Sequence, residues 1–110
     1  MSAAGDAFRV VWLSAARDDF LSLAPNVRPI VAKGIAKVAQ NPLPQARGGY
    51  GKPLGRGLAG LFKIKFRAAG IRVVYALREV CGEMLIVVVA ARENGEAYRL
   101  AEIRRRKSGC

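Results

Sequence analysis

The 110-residue chain has no histidine, two cysteines, and only eight acidic residues against 19 Lys and Arg. Each shortage removes a class of function. Without histidine, a Ser-His-Asp triad cannot be assembled, nor can a ribonuclease mechanism built on a histidine pair. Cys81 and Cys110 have no second pair at metal-ligand spacing; they read as incidental thiols, and no zinc, other metal or cofactor is expected. No paired carboxylates stand in a context that suggests two-metal chemistry. No apolar run approaches the ~18–20 residues of a membrane span. Met1 to Asp6 lacks the basic-then-apolar pattern of a signal peptide. The expectation is a single cytoplasmic domain over 1–110 that does not bind a membrane. Any catalysis must come from Lys, Arg, Tyr or the few Glu.

What is present is cationic and unevenly distributed. The formal net charge is +11, with a sequence pI of about 10.7. Between Asp19 and Glu79 there is no acidic residue, while eleven Lys and Arg fall in that interval. Ordinary soluble surfaces intersperse both signs; a one-sign stretch of this length is the footprint of a polyanion binder, with nucleic acid the leading partner. Within it, Leu61-Phe62-Lys63-Ile64-Lys65-Phe66-Arg67 alternates apolar and basic residues. Positions two apart on a strand share a face. Phe62, Ile64 and Phe66 therefore point to a core, and Lys63, Lys65 and Arg67 form a cationic row on the other side. Burying such a row without an anion is very costly, so it is expected at a surface where phosphate can meet it.

The rest of the chain organises around that strand. Phe8–Leu13 reads as a first strand. Ser14 is placed to cap a short helix running to about Leu23, with Asp18 and Asp19 near its positive end. A second helix spans about Val27 to Gln40, where Val27, Val31, Ile35 and Val38 recur on one face and Pro29 occupies the first turn. Residues 42–60 read as a flexible glycine- and proline-rich loop carrying Arg47, Lys52 and Arg56, without a phosphate-loop signature. Leu61–Arg67, Arg72–Arg78 and Met84–Ala90 follow as an antiparallel meander, the last apolar throughout and hence central. Tyr75 faces opposite to Arg72 and reads as core. A helix from about Asn94 to Arg106 closes the chain, with Ala97, Leu100, Ala101 and Arg104 as its inner stripe. A basic tail over about 104–110 reads as solvated, adding general attraction for RNA. The order β-α-α-β-β-β-α predicts the α+β class: an antiparallel sheet with an N-terminal helical hairpin and a C-terminal helix.

These landmarks resemble the RelE toxins of bacterial toxin–antitoxin systems. Phe62-Lys63-Ile64-Lys65-Phe66-Arg67 is similar to the family's Lys-x-Lys-x-Arg strand, and Gly70-Ile71-Arg72-Val73-Val74-Tyr75 to its Gly-Tyr-Arg-Leu-Val-Tyr strand. Arg92-Glu93-Asn94-Gly95-Glu96-Ala97-Tyr98 keeps the Arg-to-Tyr spacing that follows the last strand. The departures are Ile71 where an aromatic is usual, Ala91 where a second basic residue can stand, and Gly95 near the start of the last helix. The resemblance implies a RelE/ParE-like microbial ribonuclease fold and a metal-independent endoribonuclease. Such an enzyme cuts mRNA in the ribosomal A site by 2′-OH attack on the adjacent phosphate. It also implies a cognate antitoxin and an oligomeric toxin–antitoxin complex.

Carried over position by position, the implied catalytic set is Lys63, Lys65, Arg72, Arg92 and Tyr98. One lysine would serve as base, Arg72 would hold the phosphorane charge, Arg92 would sit near the leaving group, and Tyr98 would stack on the nucleotide. Arg67, Lys52 and Arg56 would grip RNA. Two other readings are compatible with the same residues: a ParE-like inhibitor of DNA gyrase that has no nuclease activity, and a non-catalytic RNA-binding module.

Overall fold

A computed structural model describes residues 7–55, 60–91 and 96–106. The elements are β1 (Arg9–Trp12), α1 (Ser14–Leu21), α2 (Arg28–Ala39), β2 (Lys52–Pro53), β3 (Leu61–Phe66), β4 (Ile71–Arg78), β5 (Glu83–Ala91) and α3 (Glu96–Arg106). The strands form one sheet in the order β1-β5-β4-β3-β2. The α+β class and the meander are as expected, with two corrections. The sheet is mixed, because β1 runs parallel to β5, Arg9 to Trp12 against Glu83 to Ile86. The loop over 42–60 also contributes a strand, β2, which pairs Lys52 with Lys63 and Pro53 with Phe62. Among the described residues, no helix is long and apolar enough to cross a membrane.

Both faces of the sheet are packed. On one, α1 and α2 cover Phe62, Val73, Tyr75, Met84, Ile86 and Val89, with Ile64 and Phe66 partly buried beside them. Val31, Ile35 and Val38 supply the predicted face of α2. On the other, α3 sets Ala101 against Leu61, Val74, Ala76, Leu85, Val87 and Val88. Strand β5 is accordingly buried from Met84 to Val89, each side chain contributing roughly 1.5–3 kcal/mol. The cationic face of β3 is therefore dry at its Leu61 end and opens toward Lys63 and Lys65.

Close approaches fix how the helices and loops sit. Gly34 on α2 faces Phe66; a Cβ there would lie 2.3 Å from the ring, so glycine lets the helix meet β3. The loop over 41–51 is ordered by hydrogen bonds from Tyr50 N–H to Asn41 O, Gly51 N–H to Leu43 O and Gln45 N–H to Gly51 O. The buried Tyr75 hydroxyl donates to Pro42 O at 2.8 Å, and its ring stacks on Phe62. Burial pushes the Tyr75 phenol well above its ordinary pKa. Tyr75 is core, as its facing predicted, and it anchors the loop that delivers Lys52 to the sheet.

The first helix departs from expectation. Ser14 is its first residue, the cap position is Leu13, and no side chain caps it. Asp18 and Asp19 lie beyond its first turn. Asp19 instead meets β5 at a β-bulge, where Val74 pairs with Val88 and Tyr75 with Ile86, leaving Val87 as the extra residue. Beyond Ile86, β1 no longer covers that strand. There the Asp19 carboxylate accepts from Val89 N–H at 3.2 Å and from Arg104 Nη1 at 2.8 Å, and Arg104 Nη1 also donates to Val87 O at 2.8 Å. Arg104 is thus a docked residue and not part of a solvated tail. Residues 107–110 of that tail lie outside the described residues.

Candidate functional site

The site is built on β3 and β4 and roofed at one end by α3. In the antiparallel register Lys65 stands opposite Arg72, and Lys63 opposite Val74. Directly opposed residues share a face and stand about 4.5–5.5 Å apart at Cβ. Lys52 on β2 stands opposite Lys63. Three strands therefore present Lys52, Lys63, Lys65 and Arg72 on one face. The ion pairs among the described residues join Arg9 and Arg78 to Glu83, Arg47 to Glu79, and Arg104 to Asp19. None involves the four cations of this face.

That crowding acts on Lys65. Its pKa is lowered from the ordinary lysine value, first by the charge of Lys63, then by desolvation, and further by Arg72, Arg67 and Lys52. Every charge acting on it is positive. The consequence is chemical: an ammonium held among like charges releases its proton more readily.

Arg72 is held from above. Tyr98, on the first turns of α3, lies with its ring centroid 5.4 Å from the guanidinium carbon, and Arg72 Nη1 donates to the Tyr98 hydroxyl. Arg72 Nε is buried with no hydrogen-bond partner. An unmade bond on a buried guanidinium is costly. A guanidinium offers five donors in a planar fork suited to phosphate.

The other sequence-predicted residues are placed less tightly. Arg67 is exposed just past β3, where Gly70 N–H bonds to Arg67 O to close the turn. Arg92 and Arg56 lie outside the described residues. Arg47 is held by both oxygens of Glu79, at 2.9 and 3.1 Å, which raises the arginine pKa and lowers that of the carboxyl. Sequence reasoning missed the opposition of Lys52 to Lys63, because a two-residue strand inside a glycine-rich loop has no period to detect. It also placed α3 imperfectly: Ala101 is buried, but Leu100 is 37% exposed.

The whole chain compares with known proteins as follows. No protein-family model matches it. It is 33% identical over 103 residues to an Escherichia coli protein whose name reads RelE-like toxin, covering 90% of this chain and 98% of that one.

The chain belongs to the RelE toxin family.

Solved structures agree. A mutant of E. coli toxin RelE in the free state superposes with a TM-score of 0.76 at 26% identity, covering 89% of this chain and 97% of that one. The toxin of the intact E. coli RelBE toxin–antitoxin complex gives 0.68 at 25% identity, over 80% of this chain and 100% of that one. A chain of the RelBE2 toxin–antitoxin complex from Mycobacterium tuberculosis gives 0.65 at 26%, over 80% and 94%.

Proposed function

We propose that this RelE-family chain is a ribosome-dependent mRNA endonuclease, acting as one toxin domain in the cytoplasm and restrained by a cognate antitoxin in an oligomeric complex. The observation that carries the reading is the cross-strand pair Lys65–Arg72 with Tyr98 laid over it, on a face where every charge acting on Lys65 is positive. Cutting RNA without a metal needs a base for the 2′-OH, charge stabilisation at phosphorus and a proton for the departing 5′-oxygen. Lys65, its proton loosened by Lys63, takes the 2′-OH proton. The 2′-oxygen bonds to phosphorus as the bond to the 5′-oxygen breaks, leaving a 2′,3′-cyclic phosphate, and the departing 5′-oxygen takes a proton from water to become a 5′-hydroxyl.

Arg72 neutralises the charge that builds on the non-bridging oxygens through the donors not used by Tyr98. Arg92 is assigned to the leaving oxygen. The Tyr98 ring offers a stacking surface for an unpaired base. Arg67, Lys52 and Arg56 grip the backbone, which gives affinity without sequence preference. An antitoxin complementary to this cationic face neutralises the toxin by covering it. The RelBE complexes show that neighbours of this fold pair with an antitoxin.

The test is primer extension on a message carried by purified ribosomes, with ribosome-free controls. Cuts within the A-site codon that require ribosomes support the reading. An intact message in the presence of folded protein overturns it and leaves gyrase inhibition or simple RNA binding as the function to pursue.

A further inference from the structure

Helix α3 carries Tyr98, which packs with Ala101 against the sheet. Among its described side chains Ala101 is fully buried on the sheet, while Leu100 and Ile103 are 37% and 46% exposed. Tyr98, Ala101 and Arg104 recur every third residue and so line one side of the helix, with Tyr98 and Arg104 about 9 Å apart along its axis. A polar tether lies at the Arg104 end. Its guanidinium spans Asp19 of α1 and the bulged carbonyl of Val87, and Asp19 also takes Val89 N–H. These groups occupy the length of β5 that β1 leaves uncovered, so the ion pair stands in for a strand and ties α1, β5 and α3 together.

We propose that Asp19 and Arg104 are positioning residues for the nuclease site: their ion pair, locked onto the β5 bulge, sets the register of α3 and thereby holds Tyr98 over Arg72. The geometry argues this in two ways. Beside the bulge, Val87 O and Val89 N–H both face the edge that β1 has left, and the pair takes both, as a neighbouring strand would. With that end of α3 seated, a helix is rigid enough over about 9 Å to fix where Tyr98 falls. Neither residue reaches the substrate; both act through Tyr98. The inference rests on the nuclease reading above for its functional consequence, but not for its structural one.

The experiment uses the full chain and two readouts. The first is the NMR cross-peak between the Arg72 guanidinium and the Tyr98 ring, in wild type, Asp19→Asn, Arg104→Gln, and Tyr75→Phe as a control for general destabilisation. The proposal expects the cross-peak in wild type and Tyr75→Phe, and its loss in both latch variants while the rest of the spectrum stays folded. The second is ribosomal cleavage in a double-mutant cycle. If the latch works through Tyr98, Tyr98→Ala slows wild type strongly but slows Asp19→Asn by less than about twofold; independent roles would give multiplying effects.

A cross-peak that persists in folded Asp19→Asn, or is absent from wild type, overturns the proposal, as do multiplying effects in the cycle. Should Asp19→Asn fail to fold, Arg104→Gln carries both readouts. Loss of the cross-peak in the latch variants of a chain that cleaves no message supports the positioning device and overturns only the nuclease reading.

Discussion

Replacing Tyr75 with phenylalanine separates stability from chemistry. Its hydroxyl donates to Pro42 O at 2.8 Å, and Tyr75 and Pro42 are both fully buried. The substitution keeps the ring and its stacking on Phe62 at 5.3 Å but leaves the Pro42 carbonyl without its partner. A lost buried hydrogen bond with an orphaned acceptor costs about 2 kcal/mol. With a urea slope of roughly 1.5 kcal/mol per molar, the midpoint falls by ~1.3 M. At about 4 °C per kcal/mol, the melting temperature falls by ~8 °C.

The assay is urea unfolding followed by Trp12 fluorescence, alongside cleavage per folded molecule. The expected result is a clear loss of stability with cleavage unchanged under conditions where the variant is folded. A change under about 0.5 kcal/mol would mean that the loop over 41–51 does not depend on this bond. A loss of cleavage in fully folded Tyr75→Phe would place Tyr75 in the chemistry and refute the assignment to Tyr98.

Three further outcomes are expected. Lys63→Ala removes the largest influence lowering the Lys65 pKa, so the Lys65 pKa rises and the ascending limb of the pH–rate profile moves to more alkaline pH; a limb that stays or moves acid argues against Lys65 as the base. Lys52→Gln removes one phosphate contact and should reduce the slope of log affinity against log salt for single-stranded RNA by about 0.7, the same for every sequence tested. Gly34→Ala gains about 1 kcal/mol of helix propensity but sets a Cβ 2.3 Å from the Phe66 ring; overpacking of about 1–3 kcal/mol wins, and a second change, Phe66→Leu, recovers part of the loss in a thermal melt.

How far the sequence disclosed this molecule depends on the range of the interaction. The period-two alternation of Phe62 to Arg67 correctly divided β3 between two faces, and the same arithmetic put Tyr75 in the core. The helical spacing of Val31, Ile35 and Val38 found the buried side of α2. Alternation does not report the direction of a partner strand, so the parallel pairing of β1 was not legible. Nor does a two-residue strand such as Lys52–Pro53 carry a period. Arg104 and Asp19 are 85 residues apart and meet beside a bulge at Val87, which a continuous apolar run gives no sign of. Of the candidate site, Lys63, Lys65, Arg72 and Tyr98 come together in space; the placement of Arg92 and Arg56 falls outside the described residues.

The central claim is that the Lys65–Arg72 pair under Tyr98 cuts RNA without a metal. Single-turnover cleavage tests it most directly, comparing wild type with Lys65→Ala on message-loaded ribosomes, with the free toxin pre-treated with chelator and the product ends analysed. The expected result is rapid cleavage by wild type with a 2′,3′-cyclic phosphate on the upstream fragment, and its near loss in Lys65→Ala while ribosome binding persists. A linear 3′-hydroxyl product, or a Lys65→Ala variant that cleaves at the wild-type rate, would contradict it.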